Sequence, residues 1–194
     1  MVEKMVLSLV TQMEDREIIE KSSRDYYEYA LIILTEHFIA VGTMLMVGIF
    51  FEQFIPTVIF LIFFLSLRKR TGGYHADKFW QCYLATIITY IGIIQLAPVL
   101  SEKTFIMYSM LFIAVLVIEI IGTVNHPNVD MDKSEFQENQ KSARLLVLIE
   151  TAVIILLVIM GIDQLYVGYM SIAIILCSFL MCLAKLLKQE LKVK

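Results

Sequence analysis

The chain has 194 residues, of which 59% are hydrophobic and 18% are charged, and its formal net charge at pH 7 is −3. Soluble domains average roughly 45–50% apolar and about 25% charged residues, so this composition excludes a soluble enzyme, a disordered chain and a secreted disulfide scaffold. The net charge gives no basic surface for nucleic acid, and three cysteines are too few for a disulfide framework. The mean hydropathy of +0.76 predicts a membrane protein.

The first 24 residues predict an amphipathic helix on the cytoplasmic side of the membrane. They are not expected to form a signal peptide, because acidic residues interrupt any apolar stretch of the required length. Apolar residues recur at steps of three and four and so share one helix face, namely Val2, Met5, Val6, Leu9, Val10 and Met13. Such a helix can lie on the inner leaflet, pack on a partner subunit or cover the protein's own cytoplasmic end.

Residues 25–194 predict an all-α membrane domain with six transmembrane helices. Each candidate is an apolar stretch near the length of about 20 residues that crosses a bilayer. In chain order, the candidates are Tyr26–Phe50, Phe54–Leu67, Phe79–Leu100, Thr104–Val124, Leu145–Met160 and Leu165–Leu187. The second and fifth are short, so we expect them to recruit flanking residues or to lie where the bilayer thins.

The distribution of Lys and Arg predicts the topology. With six spans and a cytoplasmic N-terminus, 15 of the 16 basic residues lie on the cytoplasmic side, and Lys103 alone lies outside. Cytoplasmic loops of membrane proteins carry such an excess. The sequence therefore predicts cytoplasmic termini and two longer cytoplasmic stretches, Arg68–Lys78 and Asn125–Arg144. Any active site then faces the cytoplasm or the inner leaflet.

The first of these stretches, continued into the third span as RKRTGGYHADKFWQCY, concentrates the reactive side chains of the chain. Cys82 is a candidate nucleophile and His75 a candidate base, the minimal equipment for covalent acyl transfer. In one unbroken helix their α-carbons would lie about 10 Å apart, so we expect a helix break between them. Asp77 is then a candidate N-cap, and Cys82 lies near the opening turns of the third span. Alternatively, His75 contacts lipid headgroups and Cys82 packs as a small apolar residue.

This stretch resembles the accessory gene regulator B (AgrB) family of bacterial membrane peptidases. The resemblance is carried by Arg68, Gly73, His75 and Cys82, together with the aromatic residues Phe79, Trp80 and Tyr83. Chain length, six spans and cytoplasmic termini fit the same family. In the second stretch, the segment 125–128 (NHPN) is similar to the family's proline-containing segment, although the residues that follow are acidic as well as basic.

The resemblance implies a function, a set of roles and partners. The family cleaves a small amphipathic AgrD-like propeptide and cyclises it to a thiolactone or lactone through an acyl-enzyme thioester. Cys82 would be the nucleophile and His75 the general base and acid. Arg68 would pair with a substrate carboxylate or a headgroup, and Gly73 would allow close backbone approach to the substrate. The resemblance also implies a homodimer in the bacterial cytoplasmic membrane, with no cofactor.

Ionisable residues inside spans are costly and usually face the protein interior or water. Glu28, Glu119 and Glu150 fall within about a turn and a half of their cytoplasmic span ends. We expect them to form a polar chamber near Cys82, or else to snorkel to the membrane surface. Glu36 and His37 lie deeper in the first span. They are expected to form a pair between helices or, alternatively, to be part of a proton or ion pathway. The spacing of the His and Cys residues predicts no metal site.

Two other functions remain open on the sequence. A transporter or exporter of a small peptide would keep its function in Cys82→Ser, whereas a peptidase would lose cleavage. A different membrane cysteine acyltransferase would react with acyl donors and ignore a short amphipathic propeptide. Cys177 and Cys182 are predicted to be packing residues of the sixth span.

Overall fold

The structure is a computed structural model, and it describes residues 2–16, 18–74, 76, 79–125 and 131–190. Within these ranges the chain is all-helical and contains no strand. The helices are α1 (Val2–Asp15), α2 (Arg24–Phe50), α3 (Phe54–Thr71), α4 (Phe79–Glu102), α5 (Thr104–Ile121), α6 (Lys133–Ile159) and α7 (Gln164–Leu186), and a short 3₁₀ turn, Lys21–Ser23, precedes α2. The predicted all-α fold class is confirmed.

Five helices in the described part of the chain are long and apolar enough to cross a membrane. They are α2, α4, α5, α6 and α7. The remaining long helix, α3, has 18 residues, and its last turn contains three basic residues, Arg68, Lys69 and Arg70. These three charges distinguish α3 from the five other long helices. The six predicted spans are all helical, which is compatible with six crossings.

Several helix boundaries differ from the predicted spans, among them those on either side of the loop between α5 and α6. Helix α6 begins at Lys133, well before the predicted Leu145, because Asp132 and Glu135 form a reciprocal capping box. The Asp132 carboxylate accepts a hydrogen bond from the Glu135 amide at 2.8 Å. The second cytoplasmic loop is therefore shorter than expected. Helix α5 ends at Ile121, before the predicted Val124, because Gly122 adopts a positive φ of 75°.

The chain divides into two compact units, Met1–Met46 and Val47–Lys194. In the first unit, Val6 and Val10 of α1 are buried against Ile19. A helix is thus present at the N-terminus, but it ends at Asp15 and so is shorter than the predicted 24 residues. Its apolar stripe is divided, because Met5 is 58% and Leu9 48% exposed. Part of the stripe covers the chain's own residues, and part faces outward.

In the second unit, α7 is the central helix and contacts α3, α4, α5 and α6. Its apolar residues lie in the main core, where Ile174, Cys177 and Met181 are fully buried. Cys177 is therefore a packing residue, as predicted. Cys182 is half-buried.

Hydrogen bonds place the C-terminal ends of α3, α5 and α7 together. The Val124 amide, just after α5, donates to the Thr71 carbonyl of α3 at 2.9 Å. The Tyr74 amide donates to the Leu180 carbonyl of α7, also at 2.9 Å. The two loops predicted to be cytoplasmic therefore meet at the same end of this unit.

Candidate active site

The loop after α3 is held in shape by Arg68. Its guanidinium donates one hydrogen bond to the Gly72 carbonyl and a second, at 2.5 Å, to the Tyr74 carbonyl. The Tyr74 amide is fixed in turn by the Leu180 carbonyl. Arg68 thus binds the backbone of its own loop, and its pairing with a substrate carboxylate or a headgroup stays a prediction.

Both glycines of this loop are required by geometry. Gly72 has φ +62°, and a Cβ atom there would lie 2.6 Å from the Val124 carbonyl oxygen. Gly73 has φ +120°, and a Cβ atom there would overlap Arg68 Nη1 and lie 3.1 Å from the Leu180 carbonyl oxygen. Only glycine adopts such φ values without strain. Gly73 therefore permits close approach within the protein, between its own loop and α7.

Cys82 lies in the first turn of α4 and is half-buried. The helix break that the spacing predicts is present, since α3 ends at Thr71 and α4 begins at Phe79. The Arg68 guanidinium contacts the backbone of the loop that joins α3 to α4, through the Gly72 and Tyr74 carbonyls.

His75 and Asp77 lie outside the described residues, so the predicted pairing of His75 with Cys82 and the predicted N-cap are not observed here. The residues on either side of His75 are described. Tyr74 is held by Arg68 and Leu180, and the loop is not helical at Ala76. The backbone of Tyr74, the residue before His75, is therefore held in place by two hydrogen bonds.

The loop between α5 and α6 supplies contacts that sequence reasoning missed. The Thr123 hydroxyl donates to the Arg70 carbonyl at 2.8 Å, next to the bond between Val124 and Thr71. Asn125 is fully buried, and its side-chain oxygen accepts a hydrogen bond from the Met131 amide at 2.9 Å. Its side-chain nitrogen has no partner among the described residues. The span pattern and the resemblance of residues 125–128 pointed to this loop but not to its contacts, and residues 126–130 lie outside the described ranges.

The acidic residues expected near the site occupy different surroundings. Glu150 of α6 is 6% exposed, and one of its oxygens accepts a hydrogen bond from the Ser66 hydroxyl at 2.7 Å. The bond from Ser66 links Glu150 to α3. Glu119 has one buried oxygen without a described partner. Glu28 is half-buried and belongs to the first compact unit.

The other polar groups give no metal site in the described residues. No group of three or more His, Cys, Asp or Glu side chains is placed to hold an ion there. His37 is exposed, and its ring Nδ1 lies 3.1 Å from the Ile33 carbonyl of its own helix. The local contact of His37 is thus within α2.

The chain was compared with known proteins. A family model described as accessory gene regulator B matches residues 2–183. A protein named putative AgrB-like protein 1, from Clostridium perfringens (strain 13 / Type A), is 28% identical over 82 residues, and the match covers 42% of this chain and 41% of that relative. No solved structure matches. Because the family model covers nearly the whole chain, the protein belongs to the accessory gene regulator B family.

Proposed function

We propose that this protein is a membrane cysteine endopeptidase that cleaves an AgrD-like propeptide and cyclises the product. Membership in the accessory gene regulator B family supports a role in quorum-sensing peptide processing. The observation that carries the finer proposal is the position of Cys82. It lies in the first turn of α4, directly after the loop that contains His75 and whose Gly72 and Tyr74 carbonyls are held by Arg68.

In the proposed reaction, His75 takes the proton of Cys82 and the sulfur attacks the carbonyl carbon of the scissile peptide bond. The tetrahedral intermediate collapses to a thioester on Cys82, and His75 returns the proton to the departing amine. A thiol or hydroxyl of the same peptide, deprotonated by His75, then attacks the thioester. This second attack releases the Cys82 sulfur, which regains a proton, and closes a thiolactone or lactone ring.

Cyclisation must outcompete hydrolysis of the thioester. A nucleophile tethered to the same acyl group has a high effective concentration, and exclusion of water from the site further favours it. The half-buried position of Cys82, at the start of an apolar helix, favours the exclusion of water from the thioester. We therefore propose that the site lies at the cytoplasmic leaflet of the bacterial cytoplasmic membrane, with both termini cytoplasmic and the protein acting as a homodimer.

Within this scheme, Arg68 and Gly73 shape the loop that leads to His75, and Arg68 is proposed to pair with a substrate carboxylate or a headgroup as well. Glu28, Glu119 and Glu150 are kept as candidate supporting residues. Glu150 would act through its hydrogen bond from Ser66 on α3.

The test is coexpression of the chain with the small open reading frame beside it, followed by mass spectrometry of the peptide products. We expect a C-terminally trimmed and dehydrated peptide from the natural chain, and none from Cys82→Ala or His75→Ala. Cys182→Ala is the matched control, because this cysteine is also half-buried but lies near the end of α7, and it should leave the product unchanged. A cyclic product from Cys82→Ala would refute the proposal and favour a transporter.

A further inference from the structure

An open groove of about 390 Å³ lies between α3 and α6. It is lined by Ser66, Lys69, Arg70, Ser142, Leu145, Leu146 and Ile149. Apart from Ser66, which bonds Glu150, none of these residues is assigned a role in peptide cleavage, so the groove is a separate feature. It lies near the end of the unit where the two loops meet, because Lys69 and Arg70 belong to the last turn of α3.

The groove is polar at one end and apolar along the rest. Helix α3 runs toward the loop end and places Lys69 and Arg70 there, while α6 runs away from that end and carries Ser142 before Leu145 and Ile149. One helical turn separates Ser142 from Leu145, and a second turn separates Leu145 from Ile149. Leu145 is 62% exposed, so the apolar wall is open to a ligand that enters from the membrane.

The polar end of the groove is positively charged. Lys69 is exposed and forms no ion pair with the described residues, whereas Arg70 is half-buried and oriented by a hydrogen bond of 3.3 Å to the Asn139 side chain. The Ser66 hydroxyl is already committed, since it donates to the buried carboxylate of Glu150. That carboxylate does not line the groove. The groups left to contact a ligand are the two cations and Ser142.

We propose that this groove binds an anionic phospholipid. Its phosphate would lie against Lys69 and Arg70, and one acyl chain would follow Leu145 and Ile149. A free phosphate would use only the cations and leave the apolar wall exposed, and a zwitterionic lipid brings no net charge to the polar end. Basic pockets between transmembrane helices on the cytoplasmic side bind anionic headgroups in this manner. The inference does not depend on the peptidase function.

Native mass spectrometry of the purified full chain in detergent tests this inference. Phosphatidylglycerol and phosphatidylcholine with identical acyl chains are added separately, and the fraction of protein carrying one lipid is measured. We expect the natural chain to bind phosphatidylglycerol roughly tenfold more tightly than phosphatidylcholine. The double variant Lys69→Gln, Arg70→Gln should bind both lipids equally and weakly.

Matched controls separate the groove from charge in general. Lys141→Gln removes an exposed cation of α6 that does not line the groove, and it should keep the preference for phosphatidylglycerol. Ile149→Trp should block the apolar wall and weaken binding of both lipids. Equal binding of the two lipids by the natural chain would overturn the proposal. So would an unchanged preference in the double variant, or full displacement of phosphatidylglycerol by millimolar inorganic phosphate.

Discussion

Arg68 is the residue on which the geometry of the candidate site depends most. Its guanidinium donates hydrogen bonds to the carbonyl oxygens of Gly72 and Tyr74, in the loop that follows α3. A planar guanidinium can bridge two acceptors at once, whereas an ammonium group is a single point charge. The loop conformation thus requires arginine specifically.

We expect Arg68→Lys to lower propeptide cleavage by about a hundredfold while the protein remains folded in the membrane, because small misplacements of reacting groups cost about that much. The rate of propeptide cleavage should be measured together with the rate at which a small maleimide alkylates Cys82. Cys177 and Cys182 are replaced by serine in this experiment, so that Cys82 is the cysteine that reacts. Cleavage at the natural rate in Arg68→Lys would contradict the bridging role.

Gly73→Ala should impair the same loop by a different route. The added methyl group meets Arg68 and the Leu180 backbone, and φ +120° strains any residue with a side chain, at a cost of about 1–3 kcal/mol. We expect a loss of cleavage of at least about tenfold. Gly92→Ala in α4 is the control, because a Cβ atom there meets nothing within 4 Å, and its activity should be natural.

At the scale of helices, close packing at the start of the second unit depends on a glycine in α2. A Cβ atom on Gly48 would overlap the hydroxyl of Thr57 on α3. That hydroxyl is buried and also bonds the Tyr90 hydroxyl of α4 at 2.5 Å, so it cannot move away without losing the bond between α3 and α4. Three helices therefore meet at this point.

We expect Gly48→Ala to lower stability by about 1–3 kcal/mol, as overpacking of a close-packed core does. Gly42→Ala, on the same helix, meets nothing within 4 Å and should be neutral or slightly stabilising, since alanine favours helix. Thermal unfolding of the two variants in the same detergent gives the comparison. Equal melting temperatures of the two variants would contradict this prediction and would show that α3 can shift at Thr57 to accommodate the methyl group.

At the scale of the whole molecule, the helix order and the charge distribution agree on one arrangement. The α3, α5 and α7 ends are joined by hydrogen bonds from Val124 to Thr71 and from Tyr74 to Leu180. Helices of alternating direction bring these ends to one side of a membrane. The Lys and Arg distribution predicts that this side is the cytoplasm.

Cysteine labelling checks this topology. In a variant with all three natural cysteines replaced by serine, Lys103→Cys should react with a membrane-impermeant maleimide on intact cells. Lys141→Cys should react only after the cells are permeabilised. Both positions are exposed, so a difference in labelling reports the side of the membrane. Labelling of both positions on intact cells would exclude the alternating arrangement.

The sequence alone determined the all-helical fold and the helix break before Cys82, because hydropathy and residue spacing act locally along the chain, and its six spans are compatible with the helices found. It did not reveal that Arg68 forms hydrogen bonds to its own loop or that Gly73 lies close to the Leu180 backbone. It also did not reveal that Thr123 bonds the Arg70 carbonyl. Those facts depend on backbone atoms from distant helices, which become neighbours only when α7 packs at the centre. Tertiary packing decided them, because a residue's contacts across the bundle leave no trace in its own hydropathy or spacing.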